Sequence, residues 1–293
     1  VLNSKAVNIV WLKRDLRSQD HAPLLKAECA GIPYLIIYLF EPSRIEYPDT
    51  SQRHLQFVYH SIGNLDKVLF EFNRRVELFY GEAIEVFNYL IKDLDIISVF
   101  SYQESGTQGS WERDKKIKQF CKSNQINWKE SQRDGILRGI KNREDWNKKW
   151  HLKMHTPVIQ NKYTISKETH LEHPFLMPSI LESQLKDYPN YYQPPGEKNA
   201  WRYLKSFTNQ RGFNYQRHIS KPMESRMSCS RLSPYLAWGN MSIKQAFQFI
   251  GTHPNGTRNN KAFSAMLTRL HWHCHFIQKF EMECRYETEC INS

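Results

Sequence analysis

The chain has 293 residues, of which 40% are hydrophobic and 13% aromatic, enough apolar material for one large domain or two ordinary ones. No stretch approaches the roughly 20 apolar residues that a membrane-spanning helix needs, and no signal-peptide pattern opens the chain. Six dispersed cysteines form no CxxC pair, which favours a reduced protein without disulfides. We therefore expect a soluble, cytoplasmic protein without membrane contact, and a monomer.

The formal net charge of +11 is concentrated in one part of the chain. Residues 201–280 contain 12 Lys and Arg residues and a single acid, Glu224, whereas the remainder is balanced. A localised basic surface with interleaved aromatic residues is typical of proteins that bind a phosphate backbone. The charge distribution therefore favours nucleic acid as a partner over a merely solvated basic face.

The first third of the chain alternates strand and helix patterns. Short apolar runs rich in β-branched and aromatic residues predict strands at 7–12, 34–40, 76–80, 96–102 and 126–129. Amphipathic segments predict helices at 21–30, 51–73, 82–94 and 110–123, the last with Ser110 as a possible N-cap. Strands separated by helices imply right-handed crossovers, so we expect an α/β fold with a doubly wound, parallel, five-stranded sheet. Ligands of such sheets bind at the carboxyl ends of the strands, and the strand order is left open.

The pattern changes after the predicted sheet. Residues 133–196 carry a charged run and then several prolines, which is typical of a long connector with only short helices. Helical periodicity then predicts helices at 197–209, 232–237, 242–251 and 259–283, with Ser242 as the N-cap of the third. The sequence therefore predicts an α/β domain at 1–132, an interdomain connector at 133–196 and a helical domain at 197–293.

A hydroxyl-rich turn precedes one of these helices. Residues 229–238 read CSRLSPYLAW, so that Ser230 and Ser233 flank Arg231 just before a helical pattern. Hydroxyl donors, an arginine and the N–H groups of a helix N-terminus together suit a bound pyrophosphate. An ordinary serine N-cap is the alternative interpretation.

The predicted helix at 259–283 has two distinctive faces. One is an apolar stripe expected in the core, formed by Phe263, Met266, Leu267, Leu270, Cys274 and Ile277. The other carries Arg269, Trp272, Phe276 and Phe280. An arginine in line with three aromatic residues suits a cavity wall that holds a base or a flavin by stacking and cation–π attraction. A second buried face is the alternative.

Other catalytic sites are poorly supported. His271 and His275 are one turn apart and could share a zinc ion, but a third ligand at a usual spacing is missing, so we expect no metal. The sequence has no GxSxG elbow, no Walker loop and no GxGxxG after the first strand. These absences argue against a serine hydrolase, a P-loop enzyme and a nicotinamide dehydrogenase.

Residues 229–238 resemble the flavin-phosphate segment of the DNA photolyase/cryptochrome family, which commonly reads TSRLSPYLA, with Cys229 in place of Thr. The resemblance is collinear over essentially the whole chain. It includes VWLKRDLR at 10–17, DHAPL at 20–24 with His21 where Asn is usual, Gly196-Glu197 with Ala200, Leu204 and Phe207, and LTRLHWHCHFI at 267–277. The chain is similar to the first two-thirds of a family member, so the helical FAD-binding domain is expected to be incomplete.

The resemblance implies a flavoprotein that repairs pyrimidine dimers in damaged DNA, in which reduced FAD absorbs blue light and donates an electron to the lesion. It implies FAD-binding roles for Tyr215, Cys229, Ser230, Arg231, Leu232 and Ser233. It implies catalytic roles for Arg269 and Trp272, and DNA contacts from Arg269, Trp272, His273 and Phe276. An antenna chromophore of the folate or flavin type is possible, since Tyr102-Gln103-Glu104 ends a strand where the family's folate contacts begin, although residues 105–110 differ.

Two departures bear on function. Arg269 stands where the family has an acid that contacts the lesion, and His273-Cys274 replaces Arg-Glu. They favour, as an alternative, a cryptochrome-like blue-light sensor without repair. A flavin-free nucleic-acid-binding fragment is a third possibility.

Overall fold

The computed structural model describes residues 6–167, 171–256 and 260–290. The described residues form two compact units, one from Val1–Ser131 with Ile159–Glu197, the other from Gln132–Val158 with Lys198–Ser293. The segment at 133–196, expected as a connector, is thus divided between the two units, and the domain boundaries remain a prediction.

The first unit is built on a five-stranded parallel sheet in the order β3-β2-β1-β4-β5. The strands are β1 Ala6–Leu12, β2 Tyr34–Phe40, β3 Val76–Tyr80, β4 Asp95–Tyr102 and β5 Asn127–Ser131. Val10 in the central strand pairs with Ile36 on one side and Phe100 on the other. Central strands of a parallel sheet are covered on both faces, which explains why the runs are apolar throughout rather than alternating. The predicted doubly wound sheet is confirmed.

The eight predicted helices are present. The helices of the described residues are α1 Ala22–Cys29, α2 Pro42–Ile45, α3 Gln52–Phe70, α4 Ala83–Asp93, α5 Gln108–Ser123, α6 Trp146–Met154, α7 Ser179–Lys186, α8 Glu197–Ser206, α9 Tyr215–His218, α10 Pro222–Ser228, α11 Ser233–Ala237, α12 Ile243–Gly251 and α13 Asn260–Met282. Of these, α2, α9 and α10 were not predicted, and α6 and α7 lie in the segment expected to hold only short helices. A π-helical turn, Phe207–Arg211, follows α8. Ser242 caps α12 in a reciprocal capping box with Gln245, as predicted.

The predicted N-cap of α5 is wrong. The helix begins two residues earlier, after Thr107, and Ser110 lies within its first turn. The hydroxyl of Ser110 donates a hydrogen bond of 2.9 Å to the carbonyl oxygen of Thr107. Serine inside a helix can satisfy its hydroxyl on the preceding turn in this way, so its presence alone does not mark the first residue.

His21 caps α1. Its Nδ1 accepts the backbone N–H of Leu24 at 3.1 Å, and its Nε2 lies 2.8 Å from the carboxylate of Asp15. The side-chain amide of Asn161 accepts the His21 N–H and donates to the His21 carbonyl. The imidazole therefore acts as an N-cap, as an asparagine side chain can, and it is fully buried.

The proline-rich segment covers the outer edge of the sheet in the first unit. The backbone N–H of Tyr80 donates to the carbonyl of Phe175 at 2.9 Å. The ring of His173 stacks on Phe79 with 4.0 Å between centroids. An exposed strand edge invites pairing with another chain, and this segment covers it.

The second unit is organised around α13. Phe263, Met266, Leu270 and Cys274 are buried on one face, which confirms the predicted core stripe, while Leu267 and Ile277 are half-buried. One turn further, buried Gln278 accepts the N–H of Leu137 and donates to its carbonyl. Within the described residues, no helix combines the length and the apolar character needed to cross a membrane.

Candidate functional site

The predicted phosphate-binding residues form a tight turn between α10 and α11. Arg231 adopts φ +58°, the left-handed region, which reverses the chain direction. The hydroxyl of Ser230 accepts the N–H of Leu232 at 3.4 Å, and both residues are buried. Ser233 is exposed at the first position of α11. The turn is thus anchored by Ser230 and Leu232, whereas Ser233 is accessible to solvent.

Arg211 fixes this turn, and sequence reasoning missed it. From the π-helical turn, its guanidinium donates to the carbonyl oxygens of Cys229 and Ser230, and to that of Tyr203 at 2.9 Å. These contacts cross 18 to 19 residues of sequence to reach the turn. Its partners are backbone carbonyls, which leave no pattern in the side chains. The excess of basic residues in 201–280 indicates that arginines matter in this segment, but it does not identify Arg211 among them.

Two guanidinium groups lie close together at the turn. Burial lowers the pKa of Arg211 from its usual value, and repulsion from Arg231 lowers it further. A bound anion would relieve that repulsion, since charge-assisted hydrogen bonds from arginine to phosphate are strong. Burial also raises the pKa of the Cys229 thiol, so this side chain is neutral at pH 7. The turn therefore brings two cationic side chains, Arg211 and Arg231, close together.

Tyr215 links the turn to α13. It is buried, and its ring packs edge-on against Phe207 at 5.4 Å. Burial and the neighbouring Cys229 raise the pKa of the tyrosine, while the nearby guanidinium of Arg269 opposes that shift. Two groups of residues that were singled out separately in the sequence, the turn and the α13 face, therefore lie near each other at Tyr215.

In the part of the chain that the structure describes, the face of α13 that carries Arg269 is exposed to solvent. The guanidinium carbon of Arg269 lies 4.5 Å from the centre of the Trp272 ring. Trp272 is 44% exposed and Phe276 is 61% exposed, and their rings are perpendicular with centroids 6.4 Å apart. Exposed aromatic rings beside a cation can stack on bases and hold them by cation–π attraction.

His273 lies one helical turn after Arg269, at the edge of the same face of α13. Burial lowers its pKa, nearby Asp134 raises it and Arg133 lowers it again, with a net shift downward. The imidazole is therefore neutral at pH 7, and it lies near the 132–137 segment, which contributes both of these charged residues.

The other histidines of α13 pack against tryptophans of α6. The ring of His271 lies 5.0 Å from that of Trp146 and 4.7 Å from that of Trp150. His275 is 3.1 Å from the guanidinium of Arg143. In the part of the chain that the structure describes, no three His, Cys, Asp or Glu side chains are gathered to hold a metal ion.

The chain is similar to known photolyases in sequence. The family profile described as DNA photolyase matches residues 8–163. The deoxyribodipyrimidine photo-lyase of Buchnera aphidicola is 23% identical over 282 residues, covering 89% of this chain and 56% of the relative. That of Vibrio cholerae is 22% identical over 264 residues, covering 82% of this chain and 54% of the relative. The chain thus spans a little over half the length of these curated relatives.

Solved structures share the fold over nearly the whole chain. The archaeal photolyase of Sulfolobus tokodaii, solved with two FAD molecules, has a TM-score of 0.72 and 19% identity over 97% of this chain and 61% of its own. The cryptochrome of Synechocystis has a TM-score of 0.77 and 17% identity over 96% and 62%. The class III photolyase of Agrobacterium tumefaciens has a TM-score of 0.77 and 20% identity over 99% and 61%. With the profile matching more than half of its residues, the chain belongs to the DNA photolyase family.

Proposed function

We propose that the protein, expressed from its complete reading frame, binds FAD and repairs pyrimidine dimers in damaged DNA by light-driven electron transfer. The observation that carries the proposal is the exposed face of α13, on which the rings of Trp272 and Phe276 lie beside the guanidinium of Arg269. Family membership and relatives named deoxyribodipyrimidine photo-lyase support the same conclusion.

The residues of the turn fit the phosphate end of FAD. The pyrophosphate would be bound by Ser230, Arg231 and Ser233. The backbone of Cys229 and Leu232 would shape the turn, and Tyr215 would lie beside it. The dianionic pyrophosphate would offset the repulsion between Arg211 and Arg231. When bound, FAD supplies the light absorption and the electron transfer.

The α13 face would hold the lesion. Photolyases are among the enzymes that extrude their target base from the duplex. Trp272 and Phe276 offer two exposed rings for stacking, and Arg269 offers N–H donors to carbonyl edges or phosphates. Arg269 has no acceptor, so it cannot reproduce the contacts of the acid usual at this position in the family. His273, one helical turn after Arg269, would add a DNA contact at the edge of this face.

A second candidate is a cryptochrome-like sensor that does not repair DNA. The observation in its favour is the charge change at Arg269, because a guanidinium in place of a carboxylate reverses the electrostatics of the lesion face. The structural likeness to the Synechocystis cryptochrome is compatible with it but shows the fold alone.

A repair assay separates the candidates. Oligonucleotides that carry one cyclobutane pyrimidine dimer are incubated with the flavin-loaded protein under blue light, and restored thymines are counted by chromatography. Repair in light and none in darkness is the expected result. Flavin photoreduction without repair would favour the sensor, whereas a protein that binds DNA but takes up no flavin would favour the flavin-free alternative.

A further inference from the structure

A cluster of charged residues occupies the carboxyl ends of the central strands in the first unit. In the order β3-β2-β1-β4-β5, the connections leave β1 and β4 toward opposite faces, and the crevice at that switch point is where doubly wound sheets bind their ligands. Lys13 and Arg14 follow β1, Glu104 follows β4, and Glu41 follows β2. The switch-point cluster consists of these four residues together with Arg113 and Asp114 of α5.

Arg113 is the centre of the cluster. Its guanidinium lies 2.6 Å from Glu41, 2.6 Å from Glu104 and 2.8 Å from Asp114. The outer cations complete the network, with Lys13 2.9 Å from Asp114 and Arg14 3.1 Å from Glu104. Three cations thus face three carboxylates, and the charges balance.

Aromatic packing closes the cluster from the side of the sheet. The guanidinium carbon of Arg113 lies 4.8 Å from the centre of the Trp11 ring, and the ammonium of Lys13 lies 4.3 Å from it. Trp11 is fully buried, and the carboxylates of Glu41 and Glu104 are almost so. Burial favours a raised pKa for Glu104, but Arg113, Arg14 and Lys13 outweigh it and hold that pKa well below the usual range. The carboxylate of Glu104 is therefore ionised at pH 7.

The loop beside the cluster is closely packed. A methyl group on Gly106 would overlap the hydroxyl of Ser110, and one on Gly109 would approach the guanidinium of Arg44, the end of a flexible side chain, to 3.1 Å. Arg44 is hydrogen-bonded to Thr107 at 2.8 Å. A planar ring in this loop would have to displace both side chains.

We propose that the switch-point cluster fills the crevice in which a ligand would otherwise bind, so that this chain holds no antenna chromophore at the carboxyl ends of the strands. The folate or flavin-type antenna that the family resemblance implies does not fit here. To enter the crevice, such a group would have to move Arg113, which would leave Glu41, Glu104 and Asp114 buried without their shared counter-charge. Light would then be absorbed by the FAD that we propose for the second unit. The inference about the sheet does not depend on that proposal.

Chromophore titration tests this inference. The probes are methenyltetrahydrofolate, FMN and FAD, followed by fluorescence and by equilibrium dialysis. The protein carries Arg231→Ala and Ser233→Ala, so that the turn in the second unit does not contribute. We expect no saturable binding up to about 100 μM, a concentration that would fill a site of micromolar Kd.

Arg113→Lys is the diagnostic second variant. It keeps the positive charge but replaces the planar guanidinium, with its five donors, by a shorter side chain that ends in a compact three-donor ammonium. Its folding is checked by circular dichroism. Binding of one probe per chain that is lost or weakened tenfold in Arg113→Lys would overturn the inference, because it would place a chromophore against the cluster. Binding that is unchanged in Arg113→Lys would place the chromophore elsewhere and leave the cluster closed, in agreement with the inference.

Discussion

Arg269 makes a cation–π contact that a carboxylate in its place could not make. Its guanidinium lies over the electron-rich face of Trp272, and the buried Tyr215 lies near it. The helical spacing of Arg269, Trp272 and Phe276 made their common face predictable from the sequence. The proximity to Tyr215 was not predictable in the same way, because it crosses more than 50 residues and depends on the path of the chain between them.

Trp272→Ala should reduce binding to damaged DNA far more than it reduces stability. The ring is 44% exposed, so little buried contact is lost, whereas a stacking platform for a base is worth about 1–3 kcal/mol. The matched control is Leu270→Ala on the buried face, which should cost about 2–5 kcal/mol of unfolding free energy. Melting temperature and lesion affinity are measured on the same preparations. A large loss of stability in Trp272→Ala with unchanged discrimination between damaged and intact DNA would contradict the functional role.

Glu104→Gln should show a pH-dependent loss of stability. The folded-state pKa of Glu104 lies below the usual 4.5, so the ionised carboxylate stabilises the fold above about pH 4.5 and that contribution is lost as the pH falls toward the folded-state pKa. We expect a deficit of roughly 3 kcal/mol at pH 7 that narrows below about pH 4.5. Urea unfolding over a pH series measures it, with exposed Glu112→Gln on the same helix as the control. A deficit that does not vary with pH would refute the ion-pair argument.

At the scale of elements, helices and strands with a clear period were predictable, whereas segments held by distant partners were not. The continuous apolar runs of the sheet and the single buried stripe of α13 are both visible in the sequence. The segment at 159–197 is different, because its backbone is held by side chains elsewhere. The amide of Gln56 donates to the carbonyl of Gln184 at 2.9 Å, and the carboxylate of Asp20 accepts the N–H of Ile159 at 2.9 Å. Neither contact leaves a local pattern in the segment itself.

Ser242→Ala should destabilise the start of α12 by about 1 kcal/mol, because the hydroxyl accepts the N–H of Gln245 at 2.9 Å. Gln245→Ala removes the reciprocal bond to the Ser242 backbone, which is also 2.9 Å long. The double variant should lose less than the sum of the two single losses, since the bonds support the same turn. Chemical denaturation of the four proteins measures the coupling. Strict additivity would mean that the two bonds act independently.

At the scale of the whole molecule, the two units differ in charge. The sequence segments of the second unit hold 21 Lys and Arg residues against 8 Asp and Glu, whereas those of the first hold 20 against 22. This imbalance was predictable, because the basic excess of residues 201–280 is visible in the amino-acid sequence alone. The turn and the α13 face both belong to this positively charged unit.

DNA affinity should fall steeply with salt, because neutralised phosphates release counterions. Arg217→Gln and Arg226→Gln each remove an exposed charge from the second unit, and each that contacts a phosphate should lower the slope of log affinity against log salt by about 1. Lys115→Gln, exposed on α5 of the first unit, should leave the slope unchanged. Fluorescence anisotropy across a salt series measures all three. A flat dependence in the unmodified protein would argue against a phosphate-binding surface.

Flavin retention tests the central claim most directly. The ultraviolet-visible spectrum of the protein purified from its complete reading frame should show bound FAD. The double substitution Arg231→Ala and Ser233→Ala removes two charge-assisted hydrogen bonds, each worth about 1.5–3 kcal/mol, and should weaken flavin binding at least 100-fold. Arg226→Ala, which removes the same charge from an exposed position of α10, should retain flavin fully. Equal flavin content in all three proteins, or none in the unmodified protein, would contradict the assignment of the turn.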